Sequence, residues 1–210
     1  MTSKWAPLSG IAFLALVIAG GLYGGKPPGE QNLKSAEELT AAYAAQGDRL
    51  LVAVFLMGLG LVFLVYFGSV LKTALDAGTA ETSCLSRVAF AGVLVFVVGA
   101  AIDFSLMLAM VEAAKDNVDP MVVQTLSTYW ENDFVPFAVG IVLLMSASAI
   151  SIQKYGGLPK WVGWLAGLIL VVSLIPPIAP AAFPATGIWI LVASIMLLLQ
   201  ARKVDSPPAM

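Results

Sequence analysis

Apolar residues fall in six long runs separated by short polar stretches, at residues 7–23, 50–71, 88–111, 134–152, 161–178 and 183–199. Each run exceeds about 16 residues, close to the length of helix that crosses a hydrocarbon layer roughly 30 Å thick. A backbone inside that layer must satisfy its own hydrogen bonds, which an α-helix does. The pattern therefore predicts an all-α, polytopic membrane protein whose residues 1–210 form a single domain of six transmembrane helices. The first run also fits a signal peptide, because Lys4 precedes it and Ala19, Gly20 and Gly21 close it.

Two of the polar connections carry helix signals of their own. Ser35 followed by Glu38 has capping-box spacing, and Leu39 and Tyr43 lie four apart, so a short helix is expected over residues 35–45, ending at Gly47. Asp119-Pro120 reads as an N-cap with proline at the first helical position, opening a helix through Trp130. Val122, Val123, Leu126, Tyr129 and Trp130 give that helix enough apolar and aromatic surface to lie on the headgroup layer or cover the bundle, as an interfacial anchor or as a lid over an outward-facing pocket.

Composition narrows the chemistry. Of 210 residues 60% are hydrophobic and 11% charged, and the mean hydropathy is +0.92; soluble domains carry about 25% charged residues. With no histidine, histidine-ligated haem, zinc-protease sites and serine–histidine hydrolysis are excluded. The net charge of -2 offers no footprint for nucleic acid. The single cysteine, Cys84, makes neither an internal disulfide nor a metal cluster. No catalytic residue, metal site or cofactor is expected.

Charge also orients the chain. Seven Lys and Arg residues (Lys4, Lys72, Arg87, Lys154, Lys160, Arg202 and Lys203) fall on the side of the termini and the even loops, against four (Lys26, Lys34, Arg49 and Lys115) on the other. The positive-inside rule then places both termini in the cytoplasm and favours keeping the first span. Nine acids, among them Asp48, Glu112 and Asp119, collect on the outer side. Trp5, Trp161 and Trp164 stand at cytoplasmic span ends as interface anchors. Small residues at four-residue spacing, as in Gly20 to Gly24, Gly21 to Gly25 and Gly163 to Gly167, permit close helix contact.

Asp103 is the one ionisable residue well inside a span, where a carboxylate costs about 2.5 to 3.5 kcal/mol. It lies in the outer third of the third span and shares a face with Gly92, Phe96, Gly99 and Met107. In the fifth span Pro176 and Pro177 have no N–H to donate four residues back, which frees the carbonyls of Val172 and Ser173, and Ser173 adds a hydroxyl. Asp103, Ser173, Val172, Pro176 and Pro177 are therefore the expected site, a polar cluster for a proton, a small cation or a polar ligand. The plainer reading is that Asp103 bonds a neighbouring helix and the prolines end a span. Tyr66, Ser69, Ser146, Ser148 and Ser151 would extend a polar path inward, or simply bond their own helices.

The run Gly156-Gly157-Leu158-Pro159-Lys160-Trp161-Val162-Gly163-Trp164, with the six-span layout and the helix-forming first outer connection, resembles bacterial six-span integral membrane proteins of unknown function. That resemblance implies a bacterial inner membrane and carries no catalytic residue. The architecture is also similar to the substrate-binding subunits of vitamin transporters, small six-span bundles with a site that opens outward. The expected function is non-catalytic binding or transport of a small solute or ion at Asp103. The alternative is an accessory subunit that acts through helix contacts with a partner membrane protein. Beyond the lipid bilayer, these are the partners expected.

Overall fold

The computed structural model describes residues 5–30, 35–132, 134–175 and 177–204. Among them are seven α-helices: α1 (Leu8–Gly24), α2 (Ala36–Leu75), α3 (Ala80–Lys115), α4 (Pro120–Asn132), α5 (Val135–Tyr155), α6 (Lys160–Ser173) and α7 (Ala182–Val204). Short 3-10 turns stand at Pro28–Glu30 and Ala179–Ala181. Four stretches are long and apolar enough to cross a membrane: α2, α3, residues 120–155 and residues 179–202; α1 and α6 are apolar but shorter. The chain is thus an all-helical, multi-pass protein suited to a membrane.

The helix ends follow local chemistry. The Ser35 side chain accepts from the Glu38 N–H at 3.2 Å and opens α2. Between α2 and α3 a capping box joins Thr79 and Thr82, and Asp76 accepts from the Gly78 N–H at 2.9 Å and from the Ser83 hydroxyl at 3.0 Å. Asp119 accepts from the Met121 N–H at 2.9 Å and caps α4. Gly156 and Gly157, at φ 87° and 86°, turn the chain between α5 and α6, a conformation that glycine enters without steric cost.

Two boundaries differ from the sequence expectation. The helix that opens at Ser35 does not stop at Gly47 but runs on unbroken to Leu75, so the first outer helix and the second span are one 40-residue rod, roughly 60 Å long. Gly47 serves packing instead of termination: a Cβ there would lie 2.7 Å from the Lys115 side chain and 3.0 Å from Val111. The fifth apolar run ends as a helix at Ser173 and not at Ile178, because the two prolines that follow can neither donate to the preceding turn nor let it stay helical.

Around the bundle α1 packs on α2, α2 on α3, α3 on α5, α5 on α6, α6 on α7, and α7 returns to α1. The main core holds Leu64, Phe67, Val93, Met145 and Trp189. Trp189 Nε1 donates to the Val162 carbonyl at 3.0 Å, tying α7 to α6 inside it. At one end α2 and α3 outrun their neighbours, and α4 folds back over them. There Leu39, Tyr43, Met110 and Val123 form a second core, called the cap below. Val123 is fully buried, so the inner face of α4 packs on α2 and α3.

Candidate functional site

Asp103 lies on α3 and is half-buried. One turn below it, a Cβ on Gly99 would meet Pro136 at 2.8 Å, so Asp103 sits about one turn (~6 Å) beyond the start of α5, level with the α4–α5 junction. The face named from the sequence does pack: a Cβ on Gly92 would lie 2.5 Å from the Leu144 nitrogen of α5. Van der Waals contact between backbones therefore occupies much of the stripe that carries the acid.

The fifth-span residues are arranged differently from the expected cluster. The Ser173 hydroxyl donates to its own helix, to the Leu170 carbonyl at 2.7 Å. The Val172 carbonyl is not free: it accepts from the Ile175 N–H at 3.2 Å, because the last turn tightens to 3-10 geometry and supplies a donor three residues on. Pro177 is exposed, and Pro176 lies outside the described residues. α6 packs along α5, α7 and the Ala179–Ala181 turn, whereas α3 packs along α2, α4 and α5. Asp103 and Ser173 therefore belong to helices that both pack on α5 but not closely on each other.

Ser173 instead lines a cavity of about 360 Å³ at the cap end of α5, α6 and α7. Phe134, Ala138 and Ile141 of the α5 side form one wall, and Ala179, Pro180, Ala182 and Phe183 close the other. Beside it Phe183 stacks at 5.0 Å on Phe137 and at 6.0 Å on Phe96. Among these lining residues Ser173 alone has a polar side chain and none is charged. The volume falls at the lower end of the range of small-molecule sites, which are mostly apolar with few polar groups. Sequence reasoning found Ser173 for its hydroxyl and missed Phe134, Ala138 and Phe183, which carry no chemical signal until the helices converge.

The remaining hydroxyls do not form a path. Tyr66 and Ser69 are exposed and line, with Trp5, Ser9 and Phe63, an outward groove of about 410 Å³ between α1 and α2. Ser146 donates to the Val142 carbonyl at 2.6 Å and Ser151 to the Leu75 carbonyl at 3.1 Å. Ser148, Thr186 and Ser194 are buried with their hydroxyls unpartnered among the described residues. No group of three acidic or cysteine side chains among the described residues comes close enough to hold a metal ion.

Charge collects at the helix junctions, away from the cavity. In the cap, Lys115 Nζ meets Asp48 at 2.6 Å and holds that carboxyl below the usual range, by hydrogen bond first and charge second. Arg49 donates to the Tyr23 carbonyl at 3.0 Å, at the end of α1 where the helix dipole favours a cation. At the opposite end the Gly78 N–H and the Ser83 hydroxyl lower the Asp76 carboxyl, and a hydrogen bond from Tyr155 lowers that of Glu81.

The chain matches no protein-family model, no curated protein and no solved structure, so the site rests on the geometry of its own residues.

Proposed function

We propose that this chain is a six-span, non-catalytic protein of a bacterial inner membrane, with both termini in the cytoplasm and the cap outside, that binds a small solute between α5, α6 and α7. The apolar character of α1 and α6 supports counting them as spans. The excess of Lys and Arg near the termini supports the orientation, and the resemblance over residues 156–164 supports the bacterial membrane. The observation that carries the binding reading is the 360 Å³ cavity at Ser173. Its uncharged lining suits an apolar or weakly polar molecule better than an ion, and the proposed site is therefore at Ser173 and not at Asp103.

A diazirine-bearing octanol tests this with the protein in lipid nanodiscs. Photolabelling is expected to saturate at Phe134, Ala138 or Phe183, above the level at the exposed Phe55 and Trp164, and Ala138→Trp is expected to remove it by filling the cavity. Labelling no higher there than at Phe55 and Trp164 would overturn the proposal.

The accessory-subunit reading has one observation of its own. At the tip of the α3–α4 hairpin Met121 is 60% and Val122 43% exposed, an apolar tip on the part of the chain that the positive-inside rule places outside the membrane. A partner that binds there would be lost on changing Met121 and Val122 to Ser, and unaffected by Ala138→Trp.

A further inference from the structure

In the walls of the Ser173 cavity the N–H groups of Ala138, Ala179 and Ala182 and the Ser173 hydroxyl hydrogen are engaged while Ser173 keeps acceptors, and the class of ligand follows from that imbalance. The Ala138 N–H donates to the Phe134 carbonyl and the Ala179 N–H to the Ile175 carbonyl. The Ala182 N–H is shared between the carbonyls of Ala179 and Pro180, and Pro180 has no N–H. Ser173 Oγ has one hydrogen, which goes to the Leu170 carbonyl at 2.7 Å. Its lone pairs remain and can only accept.

The Ser173 carbonyl adds to the same imbalance. In a continuing helix its donors would be the amides three and four residues on. Those positions are Pro176 and Pro177, and neither carries an N–H. The neighbouring carbonyls are used, Val172 by Ile175 and Ile175 by Ile178 and Ala179. Acceptor capacity is thus concentrated on one residue at the edge of an apolar space. None of the lining residues supplies an acid that would offset an ammonium ion.

We infer that the cavity takes a neutral amphiphile that brings its own hydrogen-bond donor, an alcohol in preference to an ether, ketone or plain hydrocarbon, with its hydroxyl donating to Ser173 Oγ and the apolar body against Phe134, Ala138 and Phe183. This rests on the reading of the cavity as a binding site. A donor paired to Ser173 is worth about a threefold to tenfold preference, the usual net yield of one neutral hydrogen bond.

The test pairs the diazirine-bearing octanol with its methyl ether, which has the same body and no donor. The alcohol is expected to half-saturate labelling of the cavity residues at a concentration threefold to tenfold lower. Ser173→Ala is expected to shrink the difference to less than twofold while labelling by the ether stays unchanged. Equal half-saturation by the two probes in the wild-type protein would overturn the inference and leave the cavity a binding site. A preference that survives intact in Ser173→Ala would overturn it too, since the donor would then be read elsewhere. Labelling by neither probe above the level at Phe55 and Trp164 would remove the binding reading itself.

Discussion

Gly92 of α3 and Gly140 of α5 meet backbone to backbone: a Cβ on Gly92 would lie 2.8 Å from the Gly140 carbonyl oxygen, and one on Gly140 would lie 2.9 Å from that of Gly92. Approach this close gives dispersion contact along both helices, the main source of helix association in a bilayer. The obstructing atoms are backbone and cannot move aside as a side chain does. Gly92→Ala or Gly140→Ala is therefore expected to cost about 2 kcal/mol or more. Gly58→Ala, with nothing within 4 Å of the new methyl, is expected to cost nothing and to recover up to ~1 kcal/mol of helix propensity. Thermal unfolding of the three variants in one detergent checks the contrast.

Cys84 is exposed and is the single cysteine of the chain, so it reports sidedness directly. A membrane-impermeant maleimide is expected to label it in inverted vesicles and not in right-side-out ones. Asn117→Cys in a Cys84→Ser background, at the tip of the cap, should show the reverse. Labelling of Cys84 from outside would reverse the proposed orientation.

The Asp48–Lys115 pair gives the cap a pH dependence with a definite sign. The folded carboxyl titrates below its ordinary value of 3.8, so the stabilisation from the pair is complete above that value and is lost as pH falls through the lower folded one. Both side chains reach water, the Asp48 side chain being 93% exposed, and the effect is small and screened by salt. Hydrogen exchange at the start of α2 and the end of α3 is expected to quicken as pH falls below 3.8 relative to a Lys115→Met variant, whose profile should lose this component.

Ser148 is fully buried in α5 and its hydroxyl has no partner among the described residues. Burying an unmet polar group is costly, and deleting it relieves that cost. Ser148→Ala is expected to raise thermal stability by up to ~1 kcal/mol. Ser151→Ala, which removes the bond to the Leu75 carbonyl, is expected to lower it by about 1 kcal/mol. Opposite signs for two serines three residues apart separate this account from a general effect of helix propensity.

Where the sequence was most legible, one local cause was enough. Ser35, Asp119 and the Gly156-Gly157 turn cap or break helices through atoms a few residues away, and each does so in the structure. Gly47 misled because its signal is ambiguous: glycine ends a helix or admits a neighbour, and Lys115, 68 positions later, decides for the neighbour. The helix before the proline pair ends at Ser173. The carbonyl of Val172 was not freed, since a 3-10 turn supplied another donor.

By itself the sequence determined what depends on solvent and on neighbours along the chain: an all-helical protein, apolar enough for a bilayer, and a charge asymmetry between its loops. Only the tertiary structure decided that α2 is one rod with a cap at its end, that the Ser173 hydroxyl bonds within its own helix, and that Phe134, Ala138 and Phe183 line one space. Hydropathy and capping are summed over adjacent residues, whereas a cavity is what remains where helices distant in sequence fail to touch, and no single segment encodes that gap.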